Sequence, residues 1–519
     1  MLLKLLLLVL FFSVMIVVGI MCRKSANNVQ GFVLGGRNVG SWLTAFAFGT
    51  SYFSAVIFVG YAGQFGWKYG LASTWIGIGN ALIGSLLAWR ILGRRTRLLT
   101  QHLHSATMPD FFGRRFSNNS LKVAASVIVF VFLIPYTASL YNGLSRLFGM
   151  AFGIDYVWCV LVMAVLTAIY VIVGGYMATA VNDFIQGLIM IVGIIAVIAS
   201  VLNGNGGFTE AIRTLSQIPS ESDPSLNGAF VSFFGPQPVF LLGVVLLTSL
   251  GTWGLPQMVG KFYAIKDEAA IRKGTFISTA FAFIVAGGCY FLGGFGRLYG
   301  DVIEYTAAGT PVFDSIIPSM LSTLPDLMIG IVIILVLSAS MSTLSSLVLT
   351  SGSTLTLDIL VPATGNKMKE KQQLLSIRIL VLFFIAVSSV LAIVQAKSSI
   401  TFIAQLMGIS WGALAGAFLA PFLYGLYWKR TTPAAVWSCF IVGVVIMCGC
   451  LYCTFTHKVF ISEYFTSPIN AGVLAMLCGL VIVPIVSILT PNKNKAAVDQ
   501  MFSCYDTSVT VKATTSLND

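Results

Sequence analysis

The sequence predicts an all-α polytopic membrane protein with about 13 transmembrane helices. Hydrophobic residues make up 57% of the chain and charged residues 9%, whereas a soluble domain carries roughly 25% charged residues. Apolar segments of about 18 residues or more, the length that crosses a bilayer, recur from one end of the chain to the other. The predicted spans are 2–21, 41–65, 72–92, 123–148, 156–173, 181–201, 239–259, 275–293, 327–349, 379–394, 400–428, 436–452 and 469–489.

Basic residues are concentrated on alternate predicted loops. The net charge is +12, and 22 of the 30 Lys and Arg residues share one side if the loop after the first span is cytoplasmic. By the positive-inside rule this bias places the N-terminus outside and the tail after Leu489 in the cytoplasm. It also argues against a nucleic-acid partner. One of the cytoplasmic loops is predicted to hold Lys261, Lys266, Arg272 and Lys273.

The first span has two readings. Lys4 before an apolar run resembles the start of a signal peptide, but no small-residue cleavage site follows it. Arg23 and Lys24 instead form a basic stop after the span. The sequence therefore predicts a retained helix.

Enzymatic chemistry has little support in the sequence. The chain has no GxxxxGK[ST] loop, which ATP hydrolysis would require. Cys448, Cys450 and Cys453 cluster in an apolar span, but no His or carboxylate joins them to complete a metal site. The sequence predicts a protein that is not an enzyme.

Five hydroxyl groups lie in the run 339–346, inside the apolar span 327–349. The run Ala339 to Ser346 reads ASMSTLSS. On a helix, Ala339, Ser342, Thr343 and Ser346 share one face. Such a face either lets two membrane helices pack closely or supplies oxygen ligands to an ion. The choice between the two depends on the rest of the chain.

Asp183 is the single carboxylate that the predicted spans place inside the membrane. It opens the span 181–201, and the other 17 acidic residues are assigned to loops, tails or span ends. An ionisable residue in a membrane segment is costly, so it suggests a functional site. The alternative is an ordinary acidic residue near a helix N-terminus.

Two spans contain residues that interrupt a helix. Gly49, Thr50 and Ser51 lie in the middle of the second span, and the segment 249–256 brings Gly and Pro into the seventh. Irregular backbone at membrane depth is tolerated where it is buried in protein or lines a cavity. Paired broken helices mark the substrate and ion site of many transporters. The two breaks are five spans apart, as a five-plus-five inverted repeat requires.

The chain resembles the sodium/solute symporters, a family that includes bacterial proline, pantothenate, sialic acid and sugar carriers. The resemblance covers nearly the whole chain. It is carried by TMPDFFGRRF at 107–116, GGYMATAVNDFIQ at 174–186, GTWGLPQMVGKFYA at 251–264, SASMSTLSS at 338–346, and WKR at 428–430.

The resemblance implies a leucine-transporter-like core of two inverted five-helix repeats preceded by one helix, in a bacterial-type plasma membrane. Its parts are an extra N-terminal helix at 1–24, a first repeat at 38–202, an external loop at 203–237, a second repeat at 238–430, two C-terminal helices at 431–490 and a cytoplasmic tail at 491–519. The implied partners are the bilayer, sodium and a small solute, with no obligate protein partner.

The resemblance also implies sodium ligands. Thr50, Phe53 and Ala339 match positions that give backbone carbonyls, and Ser342 and Thr343 match positions that give hydroxyls. Oxygen ligands suit a hard cation, and Na⁺ is the implied coupling ion. Some members of the family hold a second sodium ion, whose ligands would here be Asp183, Ser342, Ser345 and Ser346.

The solute is expected to lie in a small aromatic cavity between the repeats. By position, its lining comprises Tyr52, Ile57, Tyr136, Thr252, Trp253, Pro256, Gln405 and Trp411. The span 275–293 lacks the lysine of similar sugar carriers, and Thr248 and Thr252 replace aromatic residues of similar proline carriers. An amino acid or small organic acid is therefore the expected solute, imported by alternating access. Proton coupling, or a sialic acid or sugar substrate, are the alternatives.

Overall fold

The described part of the chain is α-helical. The structure, a computed structural model, describes residues 2–220, 227–307, 309–396, 403–456, 458–491 and 495–506. Parts of the predicted loop 203–237 and most of the predicted tail 491–519 lie outside these residues. Within them, pairing of extended backbone is limited to isolated bridges such as Val39 with Ile265.

The first half of the chain contains ten helices. Their bounds are α1 (Leu2–Met21), α2 (Val29–Leu34), α3 (Ser41–Tyr52), α4 (Ala62–Tyr69), α5 (Thr74–Gly79), α6 (Arg94–His102), α7 (Met108–Arg115), α8 (Asn119–Phe152), α9 (Tyr156–Gly204) and α10 (Phe208–Ser216). Wider π-helical turns at Val56–Tyr61, Asn80–Leu87 and Trp89–Gly93 join several of these into longer runs.

The second half has thirteen helices among its described residues. They are α11 (Pro238–Leu250), α12 (Pro256–Ala264), α13 (Glu268–Ala282), α14 (Gly288–Gly293), α15 (Phe313–Ser322), α16 (Asp326–Thr354), α17 (Val361–Ala363), α18 (Glu370–Ala396), α19 (Ile403–Tyr427), α20 (Pro433–Phe455), α21 (Glu463–Thr466), α22 (Pro468–Leu489) and α23 (Lys495–Phe502).

The number of membrane spans is lower than predicted. Ten helical runs of the described chain are long and apolar enough to cross a bilayer, or eleven if the bent pair α11–α12 is one span. The predicted second span is divided, because α3 ends after twelve residues and the chain then continues in the run Val56–His102. The predicted fifth span falls on a shorter apolar helix, Tyr156–Ile169. The count of 13 is therefore not confirmed.

Both predicted helix breaks are confirmed. After α3, Phe53 is extended with φ −86° and ψ 127°. After α11, a 3₁₀ turn at Gly251–Gly254 leads to Leu255, which is extended with φ −89° and ψ 119°. The axis bends by 46° between α11 and α12. Each break leaves backbone carbonyls outside the helical ladder, in the buried interior of the protein.

A third interruption divides α9. Gly175 has φ 54° and ψ −151°, inside what is otherwise a 49-residue helix. A Cβ atom at this position would lie 2.9 Å from the ring of Phe32, so glycine is needed both for the positive φ and for the close approach. The kink directs the second half of α9, which carries Asp183, along α16.

Helix α16 lies at the centre of the molecule. It packs against α8, α9 and α18, and it also contacts α3. All its residues from Leu335 to Leu349 are buried. The hydroxyl run 339–346 is therefore enclosed by protein on every side of the helix, so its hydroxyl groups face other side chains and backbone rather than lipid.

One side of the molecule, which we call the basic side, carries the predicted cytoplasmic loops. Here the Arg37 guanidinium donates hydrogen bonds to the carbonyl oxygens of Thr100, Ser105 and Tyr263. These bonds connect the segment before α3 to α6, to the loop after α6 and to α12. Burial among these groups, with Arg97 nearby, lowers the pKa of Arg37 to about 10. Arg37 thus links three chain segments through hydrogen bonds to their backbone.

The assignment of carboxylates to loops is wrong for several residues. Asp358 is fully buried within the helical run that extends α16, and Asp110 and Asp314 are also buried. Hydropathy gives no sign of these positions, because each lies outside the predicted spans in a short segment that is apolar on both sides of the carboxylate. Asp183 is therefore one of several buried carboxylates.

Candidate functional site

The oxygens of the first predicted ion site converge on the hydroxyl of Thr343. Thr343 Oγ1 lies 3.3 Å from the carbonyl oxygen of Thr50, 3.2 Å from that of Phe53 and 3.1 Å from that of Ala339. Ser342 Oγ donates a 2.7 Å hydrogen bond to Thr50 Oγ1. All five residues are buried. The structure thus brings together every residue predicted for this site.

The local backbone explains the geometry. Because α3 ends at Tyr52, its last carbonyls, including that of Thr50, no longer bond within the helix. Phe53 is extended, which turns its carbonyl toward α16. Ser342 and Thr343 reach the same place because neighbouring positions on α16 share one face with Ala339. The result is a group of neutral oxygens held by two separate helices.

The second predicted ion site contains a lysine ammonium. Lys261 Nζ lies 3.7 Å from Asp183 Oδ2 and donates a 3.0 Å hydrogen bond to Ser346 Oγ. Ser346 Oγ is also 2.9 Å from Ser51 Oγ. Ser345 donates to the carbonyl of Ser342 on its own helix, at 2.8 Å. The four predicted ligands are close together, but a cationic side chain lies among them.

The placement of Lys261 in a cytoplasmic loop was wrong. Lys261 is 3% exposed and lies in the second turn of α12, directly after the break at Leu255. The residue was assigned to the loop because the apolar stretch ends at Val259. The signal that could have identified Lys261 as a buried residue is its position shortly after a helix break that contains Gly and Pro.

A small cavity of about 50 Å³ lies next to Lys261. Its lining includes Lys261, Ser346, Gln257 and Pro256, together with Met108 and Thr354 near the basic side. Pro256, predicted to contact solute, is therefore placed at this cavity, where it forms the first turn of α12.

Three aromatic residues predicted for the solute site lie together. The ring centroid of Trp411 is 5.7 Å from that of Tyr52 and 5.9 Å from that of Tyr136. Tyr52 Oη, Tyr136 Oη and Trp411 Nε1 are buried and form no well-aligned hydrogen bond among the described residues. The nearest polar groups are Thr248 and Tyr290 for Tyr52, and Ser54 and Trp411 for Tyr136. Burying a donor without a partner costs about 1–3 kcal/mol. These three donors are therefore suited to a polar ligand.

Other predicted solute residues have partners within the protein. The Thr252 hydroxyl donates to the carbonyl of Ser249 at 2.8 Å, and Trp253 Nε1 donates to that of Ile83 at 3.0 Å. Ile57 is fully buried. Gln405 is only partly buried and lines a separate cavity with Gln64 and Glu463. The structure thus does not bring Gln405 into the aromatic group.

A polar wall beside Tyr52 was not recognised in the sequence. Asn80, Ser85 and Ser278 line a small cavity together with Tyr52 and Thr252. Ser85 Oγ lies 2.9 Å from Ser278 Oγ, and Asn80 Oδ1 accepts a hydrogen bond from the Ser249 hydroxyl at 3.3 Å. These residues come from helices that are distant in sequence. Each is a single polar residue in an apolar span, so the sequence shows no motif that would predict the wall.

Comparison with known proteins identifies the family. The family model described as the sodium:solute symporter family matches residues 32–443. The chain belongs to the sodium:solute symporter family. This symporter is accordingly a multi-pass membrane transporter and not an enzyme.

Curated relatives of this symporter include proline transporters. It is 28% identical to the osmoregulated proline transporter OpuE of Bacillus subtilis, over 94% of this chain and 95% of the relative. Identity is 29% to sodium/proline symporter 2 of Staphylococcus saprophyticus, covering 85% of this chain and 84% of the relative. The sodium/proline symporter of Staphylococcus aureus is also 29% identical, covering 84% and 83%.

A solved structure shares the fold of this symporter. A Na⁺-coupled sialic acid symporter in a substrate-bound outward-open state superposes with a TM-score of 0.76. The match covers 94% of this chain and 98% of the other, at 17% identity. The similarity therefore concerns the fold alone.

Proposed function

We propose that this symporter couples sodium entry at Thr343 to the uptake of a small carboxylate-bearing solute, an amino acid or small organic acid, across a bacterial-type plasma membrane. The observation that carries the proposal is the convergence of three carbonyl oxygens on Thr343 Oγ1 within 3.1–3.3 Å. The proposed sodium ligands are Thr50, Phe53, Ala339, Ser342 and Thr343.

The oxygens of this site suit sodium. Hard cations take oxygen ligands from carbonyls and hydroxyls, and the five groups here are neutral. A neutral set binds a monovalent ion without adding a negative charge that would hold it too strongly to release. Sodium binds on the side of the membrane where its concentration is high and must dissociate on the side where it is low. The affinity of the site must therefore permit release.

Coupling follows from the position of the site between two helices. Thr50 and Phe53 belong to the break after α3, whereas Ala339, Ser342 and Thr343 belong to α16. Sodium binds with all five ligands only while the two helices are together. It therefore stabilises that state relative to one in which they separate. Alternating access then links sodium release to the exposure of the solute site.

The solute assignment rests on the unpartnered donors near the site. Tyr52 and Phe53 are neighbours in the chain, so the aromatic group of Tyr52, Tyr136 and Trp411 adjoins the proposed sodium ligands. Its three donors, which form no well-aligned hydrogen bond among the described residues, are suited to a ligand that accepts hydrogen bonds, such as a carboxylate. The proline transport of the relatives is consistent with a solute of this size and chemistry.

A thermal-stability screen of the purified protein tests the proposal. Proline, other amino acids, monocarboxylates, pantothenate, sialic acid and sugars are each added in NaCl and in KCl. A transported amino acid or organic acid should raise the unfolding temperature more in sodium, because ligand binding stabilises the folded state. Uptake into liposomes with an imposed sodium gradient should follow for the same compound.

Two outcomes would contradict the proposal. Uptake driven by a pH gradient in the absence of sodium would establish proton coupling instead. Sodium-dependent stabilisation by a sugar or sialic acid, with none by the carboxylate-bearing compounds of comparable size to proline, would overturn the solute class while leaving sodium coupling intact.

A further inference from the structure

Lys261 is enclosed by groups that are suited to a bound cation. Its ammonium has the Asp183 carboxylate on one side, at 3.7 Å, and the Ser346 hydroxyl on another, at 3.0 Å. The ring of Tyr176 lies 5.3 Å from Nζ, within the range of a cation–π contact. Lys261 is 3% exposed and Asp183 is fully buried. A carboxylate, a hydroxyl and an aromatic face thus surround one positive charge.

The residues of the predicted second sodium site already form contacts with Lys261 or within α16. Asp183 forms the ion pair with Lys261, and Ser346 accepts the hydrogen bond of the ammonium. Ser345 directs its hydroxyl to the carbonyl of Ser342 within α16. A sodium ion added here would lie beside the Lys261 ammonium, and the single Asp183 carboxylate can balance only one of the two positive charges. The repulsion is strong in a buried, low-dielectric site. The residues present therefore do not fit a second sodium ion.

The backbone positions Lys261 for this role. The break at Gly251–Gly254 and Leu255 allows α12 to begin again at Pro256, and Lys261 follows in its second turn. The ammonium consequently joins three elements, α12, the second half of α9 and α16. The first sodium site joins only α3 and α16. Ser342 belongs to the first site and lies next to Asp183, so the two positions are adjacent.

We propose that the Lys261 ammonium is a built-in cation that occupies the second ion site, so that this symporter binds one sodium ion per cycle. The inference rests on the proposed function, because it takes the site at Thr343 as the remaining sodium site. It gives Asp183 the role of counter-ion to Lys261. It also predicts that the site becomes available to sodium when the ammonium is removed.

Equilibrium binding of ²²Na⁺ to the purified full-length protein tests the inference without knowledge of the solute. The wild-type protein should bind one ion per chain, without cooperativity. Lys261→Met keeps most of the side-chain volume but removes the charge, and should bind two. Lys261→Met combined with Asp183→Asn removes the attraction for the second ion and should bind one. Lys266→Met, in the exposed segment after α12, is the matched control and should bind one.

The outcomes separate this inference from the proposed function. Two ions bound by the wild type, or one ion bound by a folded Lys261→Met variant, would overturn the inference but leave sodium binding intact. Loss of all binding in the wild type would contradict the proposed sodium coupling, and with it the inference. If Lys261→Met does not yield folded protein, Thr343→Ala in the wild-type background decides: the single binding event should weaken by roughly 10- to 100-fold, whereas one ion still bound at the wild-type affinity would show that a second sodium site exists.

Discussion

The Thr107 hydroxyl donates a 2.6 Å hydrogen bond to Asp358 Oδ2, across 251 positions of the chain. Thr107 is also the N-cap of α7, where its oxygen accepts a 3.1 Å hydrogen bond from the amide of Asp110. Lys122 at the start of α8 lies 2.8 Å from Asp110 and 3.3 Å from Asp358. Asp110 also pairs with Arg114 at 2.7 Å, whereas Lys122 is the cation that pairs with the buried Asp358.

Replacing Lys122 with Met should destabilise the protein strongly. The change leaves Asp358 without its cation in a fully buried position, and removing one partner of a buried ion pair costs about 3–5 kcal/mol. Denaturant unfolding in detergent measures the loss. Adding Asp358→Asn to the same protein should recover most of it. A Lys122→Met protein as stable as wild type would show that the pair contributes nothing.

Replacing Thr343 or Ser342 with Ala should weaken sodium activation of uptake. Each change removes one oxygen near an ion, and a hydrogen bond or ligand to a charged group is worth about 1.5–3 kcal/mol, or roughly 10- to 100-fold in affinity. The sodium concentration for half-maximal uptake measures the effect. Ser345→Ala is the matched control, because its hydroxyl bonds its own helix. An equal effect in all three variants would argue against the assignment of ligands.

Tyr136→Phe should weaken solute binding while preserving or raising stability. The buried hydroxyl has no hydrogen-bond partner among the described residues, so its removal relieves a desolvation cost in the unliganded protein. A bound solute would lose a donor, which lowers its affinity by about 5- to 10-fold. Uptake kinetics and thermal unfolding are the two measurements. Tyr141→Phe, on the same helix, should leave solute affinity unchanged.

The sequence predicts those features of the site that depend on neighbouring residues, and it does not predict contacts between distant helices. The break at Phe53 and the face shared by Ala339, Ser342 and Thr343 are set by residues close in sequence, and both are confirmed in the structure. The approach of Thr50 to Thr343 was implied by the family resemblance. Periodicity alone could not supply it, because contacts between distant helices have no local signature.

Residues at the ends of spans were the least predictable. Lys261 and Asp358 were assigned to loops because they lie beyond the ends of the predicted spans 239–259 and 327–349. Their partners Asp183 and Lys122 come from distant helices, so no local signal marks either pair. The predicted count of 13 spans is not confirmed, for a related reason. Helix breaks and π-helical turns divide and join apolar stretches in ways that a hydropathy window does not resolve.

The described end of the tail is also more ordered than a polar extension suggests. Tyr505 Oη donates a 2.9 Å hydrogen bond to the carbonyl of Leu426, and the Arg95 guanidinium lies 4.6 Å from the centroid of the Tyr505 ring. Phe502 is 7% exposed. The segment α23 is therefore held against the basic side.

Tyr505→Ala should release this segment without inactivating transport. Losing a hydrogen bond and a cation–π contact, each about 1 kcal/mol, should raise local opening by roughly tenfold or more. Amide hydrogen exchange at 495–506 should accelerate, while exchange in α16 should not, because local opening is independent of global unfolding. Faster exchange throughout the protein would show that the tail supports the whole fold.

The ion pair of Lys261 and Asp183 has a consequence for the response to membrane voltage. The two charges cancel, so this buried pair contributes no net gating charge when the unloaded carrier reorients. A sodium ion moving with a neutral or zwitterionic solute does carry charge, and each elementary charge that crosses 100 mV is worth about 2.3 kcal/mol. With such a solute, the membrane potential acts on the sodium-loaded half of the cycle, and the return of the unloaded carrier with this pair is nearly insensitive to voltage.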